Sequence, residues 1–388
     1  MKLRFLLVVV LALGLFTPAS GQEVSPELQE AAKLHQAGKL DQALKIYNKL
    51  LADETKLEPD QRAGALLMRG RARYQKRDLK GAAADYDAAI ALVPDNAIAY
   101  LSRAALRAEL RDFQGALPDL DRVLAVRSDF LPAIVARARV LGELRRFADA
   151  AETWGRVVAL HPNDAVALHQ RGASHSAAGD RVQALRDFDA ALGLAADRPE
   201  VLLDRAALRA SAGDYAEALA DIERAKALVP AEAAPFRLRG RVRFEQGDYA
   251  AAVSDLVAAD AAAALKARRD PYLALWLHMA RLRAGAAEPG DLRKRLGDAD
   301  LRAWPGPILR HFLGEASPES VLVAAEAAPA GAVRNEQLCE AYFYLAEAEL
   351  AAGRVEAGEA LLRKAAATDA TWLVEWNSAQ AELKRLAK

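Results

Sequence analysis

The sequence predicts an all-α solenoid, a stack of helix pairs wound as a right-handed superhelix, with an irregular C-terminal region and a final capping helix. Three observations predict it. The stretch Val201 to Pro230 repeats itself when shifted by 34 residues, so that Arg205 falls on Arg171, Arg137, Arg103 and Arg69 in one direction and on Arg239 in the other. A period in this range is the mark of a repeat architecture, in which each unit buries its apolar face only against its neighbours. Counting each unit from Ala63 and its equivalents, a small residue stands eighth (Gly70, Ala104, Ala138, Gly172, Ala206, Gly240). Alanines at the twentieth position (Ala82 to Ala252) precede a large apolar residue at the twenty-fourth: Tyr86, Leu120, Trp154, Phe188, Ile222 and Leu256. Two helices joined back to back need this small-against-large complementarity for close approach. The third observation is punctuation. Gly179-Asp180, Gly213-Asp214 and Gly247-Asp248 close one helix and cap the next, and Pro94, Pro162 and Pro230 end their units.

In chain order, residues 1–21 read as a cleavable secretory leader: Lys2 and Arg4, an apolar run from Phe5 to Phe16, then Ala19-Ser20-Gly21. That run is shorter than the ~20 residues a bilayer-spanning helix needs, so no membrane anchor is expected after cleavage. No cysteine follows the cleavage site to carry a lipid. Residues 22–266 hold about seven repeats, the first recognisable from Gly38, Ala43 and Tyr47 and set apart by a short insertion with Pro59. The recurring Arg-Gly/Ala, Gly-Asp-Tyr, Ala and Asp blocks resemble the tetratricopeptide repeat (TPR), which implies a TPR α-solenoid. Residues 267–334 form a degenerate helical region rich in proline (Pro305, Pro307, Pro318). Residues 335–388 return to the pattern at Cys339, Tyr342, Gly353 and Ala365 and finish in an amphipathic helix, placed to cover the last apolar face.

Composition removes several functions. Lys and Arg number 53, as do Asp and Glu, so the formal charge is zero and the usual electrostatic case for nucleic acid is absent. Arg268-Arg269 and Arg293-Lys294-Arg295 read as solvated helix ends. Cys339 is the only cysteine, which rules out an intrachain disulfide and leaves its role open between a buried thiol and a link to a second chain. His169 and His175 lie six apart with no ligand set around them, and no nucleophile motif or phosphate-cradling loop is present. No enzyme, cofactor or metal is expected.

Arginine at the seventh position recurs with aspartate at the twenty-third (Asp85, Asp119, Asp187, Asp221, Asp255), a ladder read as fixing repeat geometry. Thr153 replaces the aspartate in one unit, so Arg137 is expected to lose its partner and to be free for another contact. The TPR resemblance implies a concave groove lined by the first helices. Its fifth positions are Leu67, Leu101, Val135, His169, Leu203 and Arg237, and the ninth include Arg139. These and Arg137 are the candidate partner-binding residues, an aliphatic ladder suited to an extended peptide or an amphipathic helix. Occupation of the groove by the C-terminal helix or by a second copy is the competing expectation. The sixth positions (Met68, Ser102, Ala136, Gln170, Asp204, Leu238) lack the asparagine of carboxylate-clamp TPR domains, so that mode is not expected.

From Trp304-Pro305-Gly306-Pro307-Ile308 through Phe312-Leu313-Gly314 to Tyr342-Phe343-Tyr344-Leu345 and Val374-Glu375, the chain is similar to the NlpI-type periplasmic TPR family. The resemblance implies a helical, commonly dimeric adaptor that brings cell-wall hydrolases together with a protease and is not itself an enzyme. The expectation is therefore a periplasmic or secreted scaffold that binds proteins or peptides through its groove, with a homodimer as a candidate state. The alternative is a structural subunit of an envelope secretion, pilus or outer-membrane assembly.

Overall fold

Small residues on one helix and large ones on the next decide how each pair packs. In this computed structural model, which describes residues 25–53, 55–264, 270–288 and 290–387, every described element is a helix or a loop. The proposed leader and the Arg268-Arg269 cluster lie outside the described residues. The chain divides into two units, Met1–Asn163 and Asp164–Lys388.

The first unit stacks four helix pairs: α1 (Pro26–Gln36) with α2 (Leu40–Ala52), α3 (Pro59–Gln75) with α4 (Leu79–Leu92), α5 (Ala97–Glu109) with α6 (Phe113–Val126), and α7 (Leu131–Glu143) with α8 (Phe147–Leu160). Ala82, Ala116 and Ala150 are wholly buried, and Tyr86, Leu120 and Trp154 fill the space between helices. The second helices start on an aspartate cap where the sequence offers one: Asp78 accepts from the Gly81 amide and Asp112 from the Gly115 amide, both at 2.9 Å. The turn between paired helices needs a left-handed residue. Here the chain supplies Arg77, Arg111 and Arg145, with φ of 67°, 64° and 58°.

The second unit continues with α9 (Ala165–Ala177) and α10 (Arg181–Leu194), α11 (Pro199–Ala212) and α12 (Tyr215–Leu228), and α13 (Ala233–Glu245) and α14 (Tyr249–Ala264). At Gly172 an added Cβ would come within 2.9 Å of the Phe188 ring, so the close approach of α9 and α10 depends on glycine there. The left-handed turn residues are now Gly179, Gly213 and Gly247, which take that conformation at no steric cost. After α15 (Pro271–Arg283) come three short helices, α16 (Asp291–Leu296), α17 (Gly306–Phe312) and α18 (Pro318–Glu326), where prolines and glycines interrupt any longer run. The pair α19 (Ala332–Ala351) and α20 (Val355–Ala366) restores the repeat, and α21 (Val374–Leu386) ends it. One continuous core joins α13 to α21, with Trp276 at its centre, its ring centroid 5.5 Å from both Phe244 and Phe343. Cys339 is buried in that core, and burial pushes its thiol up to about 12.

Candidate functional site

The ladder arginines are committed within the stack. Arg205 Nε donates to Asp221 at 2.8 Å, while its Nη1 reaches back to Asp189 on the preceding second helix at 2.6 Å. Arg103 does the same with Asp119 and Asp87, and Arg239 with Asp255 and Glu223. Each arginine thus clamps its own helix pair and ties it to the one before. The buried aspartate takes a second guanidinium from the eleventh position: Arg73 to Asp85, Arg107 to Asp119, Arg209 to Asp221 and Arg243 to Asp255, all within 2.9 Å. Sequence reasoning missed both features, although the signal is there in the same period: Asp87, Asp121, Asp189 and Glu223 recur at 34-residue spacing apart from Gly155, as do the arginines apart from Leu141 and His175.

This arrangement corrects the expectation for Arg137. It is not freed by Thr153. Its Nη1 donates to the Thr153 hydroxyl at 2.8 Å and its Nε to Asp121 at 2.7 Å. The unit that lost the aspartate also lost the second arginine, with Leu141 in its place. The deletion is balanced, and threonine suffices as acceptor.

The inner-face leucines of the first unit also differ from expectation. Leu101 is 0% and Leu67 8% exposed. The alanines of the groove floor, Ala105 and Ala108, are buried with them, and α5 touches α7 directly. Small side chains draw neighbouring first helices together, so the aliphatic ladder closes over these leucines instead of presenting them. Val135 stays half-buried at the edge. Beside it on α7, Arg139 is half-buried and has no hydrogen-bond or ion-pair acceptor among the described residues, and desolvation alone pulls its guanidinium below the ordinary arginine range. A poorly solvated, unpaired cation is costly. Of the candidates, it is the one with capacity to spare.

In the second unit, His169 is nearly buried. Its ring lies 5.9 Å from Phe188, and Nε2 is 2.7 Å from an Asp204 carboxylate oxygen. Leu203 is half-buried against Leu238 and Tyr215 in a small satellite cluster. Arg237 is exposed and reaches Asp270 at 3.2 Å. In this unit the inner face is occupied by the chain itself: α21 packs on α11, α13 and α19. The Ser378 hydroxyl donates to Glu245 at 2.7 Å, wholly within the interior. A cleft of about 500 Å³ opens between α15, α16 and α17, walled by Trp304, Pro271, Leu301 and Leu309. The Trp304 indole donates to Glu340 at 2.6 Å. Among the described residues no cluster of three His, Cys, Asp or Glu is arranged to hold a metal ion, and no helix is long and apolar enough to cross a membrane.

Comparisons with known proteins bear on this geometry. The family model described as tetratricopeptide repeat matches residues 33–97 and 67–132. Over 122 residues the chain is 32% identical to a protein of Haemophilus influenzae described as a lipoprotein NlpI homolog, a match that covers 31% of this chain and 38% of the relative. The chain therefore spans little more than a third of that relative's length. Among solved structures, a tetratricopeptide repeat protein of Parabacteroides merdae is 19% identical with a TM-score of 0.48, over 65% of this chain and 96% of its own. YrrB, described as a TPR protein with an unusual peptide-binding site, is 19% identical with a TM-score of 0.42, over 52% of this chain and 97% of its own. With its helix pairs, 34-residue period and family-model match, the chain is a tetratricopeptide-repeat solenoid with similarity to NlpI.

Proposed function

We propose that this tetratricopeptide-repeat protein is a non-catalytic adaptor of the cell envelope, periplasmic or secreted, that captures partner proteins on the inner edge of its first unit. Tetratricopeptide repeats serve protein–protein recognition, and the similarity to a lipoprotein NlpI homolog supports an envelope setting; cell-wall hydrolases or a processing protease are the partners that the resemblance to the NlpI-type family implies. The observation that carries the site is Arg139, a half-buried guanidinium without an acceptor among the described residues, beside half-buried Val135. Such a pair suits a partner segment that brings one carboxylate and one apolar side chain. Leu67 and Leu101 hold the face together from behind, and Arg137 positions α7 through Asp121 and Thr153.

The test is an in-cell crosslink and pull-down of residues 22–388 beside Arg139→Ala. Capture of a wall hydrolase or protease by the wild type should fall at least tenfold in the variant, with an unchanged melting curve. Equal capture by both would refute the assignment.

A second reading rests on a different observation. Leu92, Val126 and Leu160 end successive second helices at 34-residue spacing and are 39%, 49% and 46% exposed. A periodic apolar stripe on the outer edge favours a structural subunit in a larger envelope assembly. Size-exclusion chromatography of the native extract separates the two: an adaptor elutes as a discrete small species, a structural subunit within a large complex.

A further inference from the structure

The last helix is seated on polar groups. Glu375, Ser378, Glu382 and Arg385 recur every three or four residues, so they share one face of α21. Glu375, Ser378 and Glu382 are buried. Apolar residues flank this stripe: Ala379 is buried within it, while Trp376, Leu383 and Leu386 pack on the core from its margins.

Each polar group meets a partner on a first helix or on a helix beside it. Glu375 accepts the Tyr344 hydroxyl of α19 at 2.9 Å. Ser378 donates to Glu245 of α13, which has Arg241 at 3.6 Å. Glu382 lies 3.6 Å from Arg283 of α15 and 2.5 Å from Arg385 of its own helix. Arg283 also donates to Glu347 of α19 at 2.5 Å and to the Tyr249 hydroxyl of α14. Next to Glu375, Glu340 of α19 accepts the Tyr272 hydroxyl at 2.9 Å and the Trp304 indole. Glu336 adds a further negative charge near Glu340, and Tyr215 of α12 faces Glu245 and Glu382.

Five buried carboxyls (Glu245, Glu340, Glu347, Glu375, Glu382) thus face three guanidinium groups (Arg241, Arg283, Arg385). An uncompensated charge in an interior is far costlier than a protonated carboxyl. With two more carboxyls than guanidinium groups, and with Glu340 and Glu375 held by hydroxyl and indole donors, the seat favours protonated carboxyls while the helix is in place. A seat made of buried ionisable groups also adds little net stability while fixing register.

We propose that α21 is a latch on the inner face of the second unit, closed while two carboxyls of its seat are protonated and released as they ionise, which uncovers α11 and α13. The proposal rests on this unit alone and does not depend on the assignment of Arg139.

Burial, the largest cause, pushes Glu340 and Glu347 up to about 8 each, and it also raises Glu245 and Glu375. The sign follows from linkage. A carboxyl raised above its ordinary value of ~4.3 contributes its full stabilisation below that value and loses it as pH rises through the folded value. The latch is therefore firm at pH 6.5 and loosened at pH 9.

Hydrogen–deuterium exchange on the full chain tests this, with protection factors corrected for the intrinsic pH dependence of exchange. Protection of 374–386 should fall at least tenfold from pH 6.5 to pH 9, while 97–126 in the first unit stays unchanged. The paired substitution E340Q/E347Q, neutral at both pH values, should keep 374–386 protected at pH 9. Single E347Q provides the same readout at half effect should the double variant fold poorly, with far-UV circular dichroism as the check on folding. Unchanged wild-type protection at pH 9, or an equal loss in the glutamine variants, would overturn the proposal.

Discussion

The regular repeats and the C-terminal helices both bury charge, but they do so under different rules. In four of the six regular repeats one aspartate receives two arginines, as Asp221 does from Arg205 and Arg209, and in several the same arginine also reaches a half-exposed acid such as Asp189. Cations outnumber the buried acids, and each contact has a substitute. Around α21 the proportion is reversed: Arg283 is shared between Glu347 and Glu382, both essentially without exposure, and only Arg385 at the rim adds a second cation to Glu382. The difference teaches that a motif copied into every unit is there to hold register and can tolerate loss. A charge network that occurs once, buried and short of cations, is poised to respond to its surroundings.

The largest effect that would sharpen this contrast is at Arg283. Arg283→Met removes the cation shared by two buried carboxyls, and breaking a buried pair in this way costs about 3–5 kcal/mol. Urea denaturation should show that loss in the second unit at pH 7, and a change below about 1 kcal/mol would erase the distinction drawn here. Arg205→Met should cost less, about 1–2 kcal/mol, because Asp221 keeps Arg209 and a partial hydrogen-bond set. If the two substitutions cost the same, redundancy is not what separates the regions.

The smallest expected effect has the opposite sign and concerns the turns. Arg77, Arg111 and Arg145 sit in a left-handed conformation that the second unit gives to Gly179, Gly213 and Gly247. Arg111→Gly relieves that strain, offset in part by the greater freedom of glycine in the unfolded chain, for a net gain of about 0.5–1 kcal/mol. The exposed Arg111–Glu143 pair, at 3.9 Å, subtracts little. A lowered melting temperature would show that the arginines earn their place through contacts.

Much of the fold was legible because repetition is itself a measurement. The alignment of Gly172 with Phe188, or of Asp180 with the helix it caps, appears several times over, and each copy corroborates the rest. The irregular stretch from α16 to α18 has no second copy to read it against, so only its breaks were visible. The candidate site was legible as a set of positions, but its accessibility was not. Leu101 and Val135 are equivalent in the period, yet one is closed off and the other half-open.

By itself, then, the sequence determined the helix pairs, their turns, the small-against-large packing between them, and the arginine–aspartate partnership. These depend on neighbours within one or two periods, where spacing along the chain translates directly into spacing in the stack. Only the tertiary structure decided that Arg137 is satisfied by Asp121, that Arg139 is left without an acceptor among the described residues, and that the last helix lies on Glu245, which is 133 residues away from Ser378. Contacts of that kind depend on how far the first helices close on one another. That closure is set by the sum of many small side chains, and no single residue announces it.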